Sequence, residues 1–195
     1  MLNKWYHYHP QVLLNEFNFN KGLLDPLRCH YLNPITALLY PTWGGGCLDS
    51  HKAFTVTYEI DHDLDLSCHY DNAEVTLNVA LGHIFTGGNL YFRGMSSEVD
   101  SVESKMPTTC VHRPGWGVLH PGQCMHGAEP LQSGKRCNMI LWMRSSSVRN
   151  AQCPMCRDVP DLVHVSGLDD GFRVLPEAQP APESGPRVVD VCQTL

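Results

Sequence analysis

The chain has 195 residues, 43% hydrophobic and 17% charged, with a formal net charge of −6. This is the composition of an ordinary globular chain, long enough for one domain with a real apolar core. No run of Lys and Arg offsets the acidic balance, so the electrostatic footprint of a nucleic-acid binder is missing. Nothing reaches the roughly 18 consecutive apolar residues of a membrane span, and the opening MLNKWYHYHPQ lacks the apolar centre of a secretory leader. No membrane partner is expected, and the placement read from this is intracellular, cytoplasmic or nuclear. Nine cysteines, an odd number without a secretory signal, read as reduced thiols, several of them packed as small hydrophobes.

Residues 11–19 and 27–40 have the spaced apolar positions of two helices, the second interrupted near Asn33 and Pro34 and ended by Pro41 and the glycines at 44–46. Both helices would brace one face of a sheet. From residue 53 the period changes to two, with Phe54, Val56, Tyr58 and Ile60 alternating against Thr55, Thr57 and Glu59, an amphipathic strand. The segment DHDLDL reads as an acidic bend, with a calcium site disfavoured. EVTLNVAL reads as a strand, Thr86 to Gly88 as a tight turn, and residues 89–92 as a short strand. Residues 93–105, rich in Ser and Glu, read as an exposed loop, either a substrate-recognition flap or a plain connection. Residues 108–112 and 117–120 are the next expected strands, with a turn over 121–123 and an apolar run from Cys137 to Met143. The stretch 176–186 holds four prolines among Ala, Glu, Ser and Gly and is expected to be disordered.

The chemistry lies between these elements. His69, Tyr70 and Asp71 form a His-x-Asp triplet, and side chains at i and i+2 of a strand point to one face, so His69 and Asp71 can grip one metal together. His126 follows 55 residues after Asp71. Two histidines and one carboxylate on one face of an octahedron leave three positions open, the facial triad of non-haem Fe(II) oxygenases. About one His-x-Asp is expected by chance in such a composition, so the triplet alone carries little. Arg136 lies ten residues beyond His126 and shares one strand face with Asn138, Ile140 and Trp142. If that face lines the metal cavity, its guanidinium can hold a carboxylate with two parallel hydrogen bonds; otherwise it is a solvated strand-end charge.

At these residues the chain resembles the Fe(II)/2-oxoglutarate-dependent oxygenases, in particular their prolyl-hydroxylase-like branch. The matching stretches are CHYDNAEVTLNVALGHIFTGGNLYF, residues 68–92, and HGAEPLQSGKRCNMILWMR, residues 126–144. The likeness covers most of the chain from Leu23 onward. Residues before it match less well, the pattern of a shorter form with an altered N-terminal region. The resemblance implies a mainly β fold with supporting helices, a double-stranded β-helix or jelly roll. On that basis residues 1–52 supply supporting helices, residues 53–145 the oxygenase core, and residues 146–195 a tail.

It also implies Fe(II) held by His69, Asp71 and His126, 2-oxoglutarate with its far carboxylate on Arg136, O2 as oxidant and ascorbate as reductant. The expected reaction is hydroxylation of a protein side chain or a small molecule, with release of succinate and CO2. Tyr58 is similar in position to a tyrosine that donates a hydrogen bond to the cosubstrate in the family. Thr76 and Asn78 would be turned toward the cosubstrate too, unless their strand face meets solvent.

Several alternatives stay open. His120, six residues before His126, is a rival distal ligand, but its basic partner would then lie 16 residues away, outside the family spacing. His112 and His83 read as surface or satisfied histidines. Trp142 is either a cavity wall or a core tryptophan. Cys153 and Cys156 form a CxxC, half of a tetrahedral zinc site that Cys137, Cys192 or His164 could complete, though two reduced thiols are the simpler reading. A nucleic-acid or lipid demethylase of the same fold is disfavoured, because Arg136 and Arg144 are eight apart rather than six. From another class, the chain could be a catalytically silent, metal-binding β-helix that serves as an interaction module.

Overall fold

A computed structural model describes residues 12–17, 19–61, 64–98, 106–164 and 172–174. In chain order the strands are β1 (Val12–Leu13), β2 (Ser50–Glu59), β3 (Leu66–His69), β4 (Val75–Leu81), β5 (Phe85–Gly87), β6 (Leu90–Met95), β7 (Thr108–Cys110), β8 (Gly117–Pro121), β9 (Cys124–Ala128), β10 (Leu131–Arg144), β11 (Leu162–His164) and β12 (Phe172–Val174). The α-helices are α1 (Asn33–Leu39) and α2 (Ser146–Ala151). One sheet has the order β1-β2-β10-β4-β8, with β5 also paired to β10, and a second has the order β3-β9-β6-β7. All pairs are antiparallel. From β2 to β10 the chain passes back and forth between the two sheets, which is the winding of a double-stranded β-helix.

The period-two pattern divides the apolar residues between two layers. On the outer face of the large sheet, Val75 and Leu77 of β4 and Leu141 and Met143 of β10 pack with Ala53 under Leu24, Leu32 and Leu48 of the N-terminal segment. On the inner face, Phe54, Val56 and Tyr58 of β2 pack with Trp142, Leu131, Ala73 and, from the second sheet, Leu66. Side chains of β10 therefore alternate between layers, and Arg136, Asn138 and Ile140 fall on the inner side with Trp142. Trp142 meets Phe54 edge-on at 5.0 Å, a core contact.

The structure changes several expectations. No helix spans 11–19. Val12 and Leu13 pair with Thr55 and Phe54 at the edge of β2, and one 3₁₀ turn, Leu14–Phe17, follows. The spaced apolar residues suit either form, and the open backbone groups of the β2 edge decide for the strand. The second helical run begins earlier than expected, with wide π-type turns at Asn20–Leu24 and Leu27–Leu32, and becomes regular only in α1. Pro34 does not interrupt it, because in the first turn of α1 its missing N–H is not needed. Ile60 is not part of the inner strand face: β2 ends at Glu59 and Ile60 is exposed in the turn. β6 takes in Arg93, Gly94 and Met95 of the expected loop, while 99–105 lie outside the described residues, as does the proline-rich 176–186. The strand expected over 108–112 stops at Cys110. No helix among the described residues is long and apolar enough to cross a membrane.

Candidate functional site

His69 is the last residue of β3, and it stands directly opposite His126 of β9 in the strand register. Their rings are 4.4 Å apart between centroids. Asp71 lies two residues beyond, where the strand gives way to a bend over 72–74. Its Oδ1 is 3.5 Å from His69 Nε2 and its Oδ2 is 3.7 Å from His126 Nε2. Ligand-capable atoms of the three residues fall within 4.8 Å of one another, a spacing one metal ion could span. Each histidine is turned by a second contact, His69 Nδ1 to the Ser67 carbonyl at 2.8 Å and His126 Nδ1 to the Cys124 carbonyl at 2.9 Å. An Nδ1–H held by a carbonyl leaves the Nε2 lone pair for a metal.

Asp71 is 3% exposed, and its backbone is fixed on both sides. Its N–H donates to the Gly122 carbonyl at 2.8 Å, and its carbonyl accepts from Gln123 Nε2 at 3.0 Å. Only glycine fits at 122: a Cβ there would come within 2.0 Å of the Ala73 carbonyl oxygen. The carboxylate accepts a hydrogen bond from Thr76 Oγ1 at 2.6 Å. Burial alone would raise its pKa, but His126, His69 and His120 around it hold it well below the usual carboxylate range. Burial pushes His126 down to about 3, which keeps its ring neutral. His69 is the exception: burial again opposes protonation, yet hydrogen bonding and the charge of Asp71 shift its pKa upward overall. Asp71 thus offers the anionic oxygen and His126 the lone pair that a divalent metal requires, and a metal binding at His69 would displace its proton.

Across the inner face lies Arg136, opposite Tyr58 in the β10–β2 register and 1% exposed. Its Nε donates to Asn138 Oδ1 at 3.1 Å, its Nη1 donates to the Gly88 carbonyl, and its guanidinium carbon sits 4.9 Å over the Tyr58 ring. Asn138 is oriented in turn by a 2.7 Å hydrogen bond from its Nδ2 to Asn78 Oδ1. Gly88, at φ +63° after Gly87 at φ +72°, makes the turn that offers this carbonyl. Among the described residues no carboxylate pairs with Arg136. A buried cation without a counterion is costly, and it is a natural seat for an anionic ligand.

The structure therefore places His69, Asp71 and His126 together, and puts Arg136, Tyr58, Asn138 and Asn78 into one hydrogen-bonded and stacked group. Thr76 does not join that second group, since its hydroxyl is committed to Asp71. Two further histidines lie close to these groups. His112 is buried rather than at the surface: it is 3% exposed, with Nε2 on the Trp116 carbonyl at 3.1 Å. Burial, then the charge of Arg136, lowers its pKa to about 4, so it belongs to the surroundings of Arg136. His120 is buried against the metal-spaced cluster, its ring 4.4 Å from that of His126. The sequence offers His120 as a rival to His126, and pairing of β8 with β4, which sets His120 opposite Thr76, brings it beside His126. Cys153 is buried and Cys156 half-buried, and the only metal-spaced group among the described residues is the one at Asp71.

No family model matches the chain. It is 53% identical over 181 residues to the 2-oxoglutarate and iron-dependent oxygenase domain-containing protein 2 of Xenopus tropicalis, covering 93% of this chain and 50% of that protein. It is 50% identical over the same length to the human protein of that name, covering 49% of it. The chain thus spans about half the length of the curated relatives it matches. Among solved structures, a prolyl 4-hydroxylase from Phytophthora capsici superposes with a TM-score of 0.52 at 17% identity, over 75% of this chain and 52% of that one, a likeness of fold alone. By sequence the chain is similar, over 93% of its length at about 50% identity, to proteins named 2-oxoglutarate and iron-dependent oxygenase domain-containing protein 2.

Proposed function

We propose that the chain is the oxygenase domain of a 2-oxoglutarate-dependent dioxygenase, in which His69, Asp71 and His126 hold Fe(II) and Arg136 binds the far carboxylate of 2-oxoglutarate. The observation that carries this reading is Arg136 itself, a fully buried guanidinium with no carboxylate partner among the described residues, on the inner face where the His–Asp–His group converges. The donor set fits the metal, with two neutral-capable imidazoles and one ionised carboxylate, each fixed by a further hydrogen bond.

Bound iron and cosubstrate supply the oxidation: O2 is consumed, 2-oxoglutarate becomes succinate and CO2, and one oxygen atom enters a C–H bond of the substrate. The chain's own part is binding and orientation. Asn138 and the Gly88 carbonyl fix the plane of the guanidinium so that it meets a carboxylate edge-on, and Tyr58 covers one face of it. Thr76 holds Asp71 in one rotamer and draws off part of its charge. Phe92 stacks on His126 at 5.8 Å and keeps water from that side. A protein side chain or a small molecule is the group hydroxylated, and ascorbate serves as reductant.

The test is release of succinate and CO2 from 2-oxoglutarate by the protein with Fe(II) and ascorbate in air, beside His69→Ala and Arg136→Gln. Turnover lost in the first and requiring far more cosubstrate in the second supports the reading. No turnover, together with no rise in melting temperature from 2-oxoglutarate in the presence of Mn(II), overturns it and favours an interaction module.

A further inference from the structure

Three imidazoles, not two, are set in the same way around Asp71. The Nδ1 of His69, His126 and His120 each meet a backbone carbonyl, those of Ser67, Cys124 and Pro121, at 2.8, 2.9 and 3.0 Å. The Nε2 of each faces the Asp71 carboxylate, at 3.5, 3.7 and 4.0 Å. Donor atoms with bonds of about 2.1 Å to one ion stand roughly 3 Å apart at right angles and about 4 Å apart across it. All three separations lie in or near that interval. The His120 ring is 4% exposed, lies against Phe92 at 5.2 Å and His126 at 4.4 Å, and its Nε2 has no hydrogen-bond partner among the described residues.

A ring nitrogen buried without a partner is costly. Its tautomer sharpens the point. With Nδ1–H given to the Pro121 carbonyl, Nε2 is a bare lone pair facing a carboxylate oxygen, and two electron-rich atoms at that distance call for a cation between or beside them. Thr76, the residue opposite His120 in the β4–β8 register, already donates its hydroxyl to that same oxygen, so it does not satisfy the ring.

We propose that His120 is a fourth protein ligand of the metal centre in its cosubstrate-free state, and that 2-oxoglutarate displaces it. This rests on the metal-binding reading given above. His120 stands outside the three-residue set whose donor atoms lie within 4.8 Å, so ligation requires its ring to swing toward Asp71. Four protein donors leave two octahedral positions, too few for a chelating 2-oxo acid together with dioxygen. Ligation by His120 is therefore confined to the resting protein, where it tightens the hold on the metal and keeps its open face small until cosubstrate arrives.

Proton NMR of the Co(II)-loaded protein tests this directly. A paramagnetic ion strongly shifts the exchangeable Nδ1–H of each ligating imidazole, and the backbone carbonyls named above protect those protons from exchange. Three strongly shifted N–H resonances are expected in the wild type, falling to two in His120→Gln and also to two when 2-oxoglutarate is added to the wild type. Co(II) affinity without cosubstrate should fall at least about tenfold in His120→Gln, the scale of a lost ligand-shell contact. Two resonances in the cosubstrate-free wild type overturn the proposal while leaving the triad intact. Three that persist with saturating 2-oxoglutarate overturn the displacement. Should His69→Ala bind Co(II) as tightly as the wild type, the metal-centre reading itself fails, and this inference with it. The titration of the wild type with 2-oxoglutarate needs no variant to fold.

Discussion

Arg136→Gln separates cosubstrate binding from metal binding. In the absence of ligand the guanidinium is buried with no counterion among the described residues, so its removal relieves a desolvation cost while giving up the hydrogen bonds to Asn138 and Gly88, each worth about 1 kcal/mol net. These terms oppose one another, and the unliganded variant should unfold within about 2 kcal/mol of the wild type. With a carboxylate bound the balance changes. A buried, oriented charge pair truncated on one side costs about 2–5 kcal/mol, which at 1.4 kcal/mol per tenfold is a rise of about thirtyfold to a few thousandfold in the KM for 2-oxoglutarate. Succinate formation against 2-oxoglutarate concentration reads this out, and Mn(II) affinity by calorimetry should stay within about twofold, since Arg136 touches none of the metal-spaced atoms. A variant with wild-type KM refutes the assignment of Arg136 as carboxylate anchor. A variant that loses Mn(II) and 2-oxoglutarate together shows that the residue props the barrel instead.

Thr76→Val keeps the shape but removes the 2.6 Å hydrogen bond to Asp71, so calorimetric Mn(II) affinity should fall about 10- to 100-fold with the KM for 2-oxoglutarate unchanged at saturating metal. Glu74→Gln strands the fully buried Arg149, 3.0 Å away, and should cost about 3–5 kcal/mol in urea unfolding, whereas Glu59→Gln, which breaks an exposed pair with Lys135, should cost under about 1 kcal/mol. Acid should destabilise the protein through His51, whose ring accepts from Arg28 Nε at 3.2 Å and so must stay neutral. Burial, then the Arg28 charge, lowers its pKa from 6.5 to about 4, so the stability it contributes is present above pH 6.5 and is lost as pH falls toward 4. The loss is up to about 3 kcal/mol, and urea unfolding at stepped pH should show a shallower decline in His51→Gln.

Local pattern made part of the fold legible. The alternation of Phe54, Val56 and Tyr58 fixed which face of β2 is inside, and the spacing from Arg136 to Trp142 put four residues on one face of β10, as the register bears out. Where two structures share one pattern, the sequence had no means to choose. The apolar residues at 12–17 suit a helix as well as an edge strand, and the open edge of a strand some forty residues away decides between them. Long-range pairing hid the rest. His120 reaches Asp71 because β8 pairs with β4, and the Glu74–Arg149 contact joins residues 75 apart in the chain. Spacing marks His120 only as a rival to His126, and it leaves no trace of the Arg149 contact.

That hidden arginine explains why Asp71 can be held so firmly at the end of a strand, where a bend would ordinarily move. Arg149 donates to both Glu74 oxygens and, through Nη1, to Asn72 Oδ1 at 2.8 Å, while Arg144 Nε donates to the Asn72 carbonyl at 2.9 Å. Glu74 also accepts from the Ser145 N–H, at the cap of α2. The bend over 71–74 is thus clamped from one side by the end of β10 and by α2, and from the other by Gly122 and Gln123. Every one of these groups lies outside the metal-spaced triad, yet together they remove the backbone freedom that would let the carboxylate drift. The short helix after β10 is therefore part of the scaffold of the site, and its Arg149 steadies Asp71 by holding Asn72 and Glu74, the first and third residues after it.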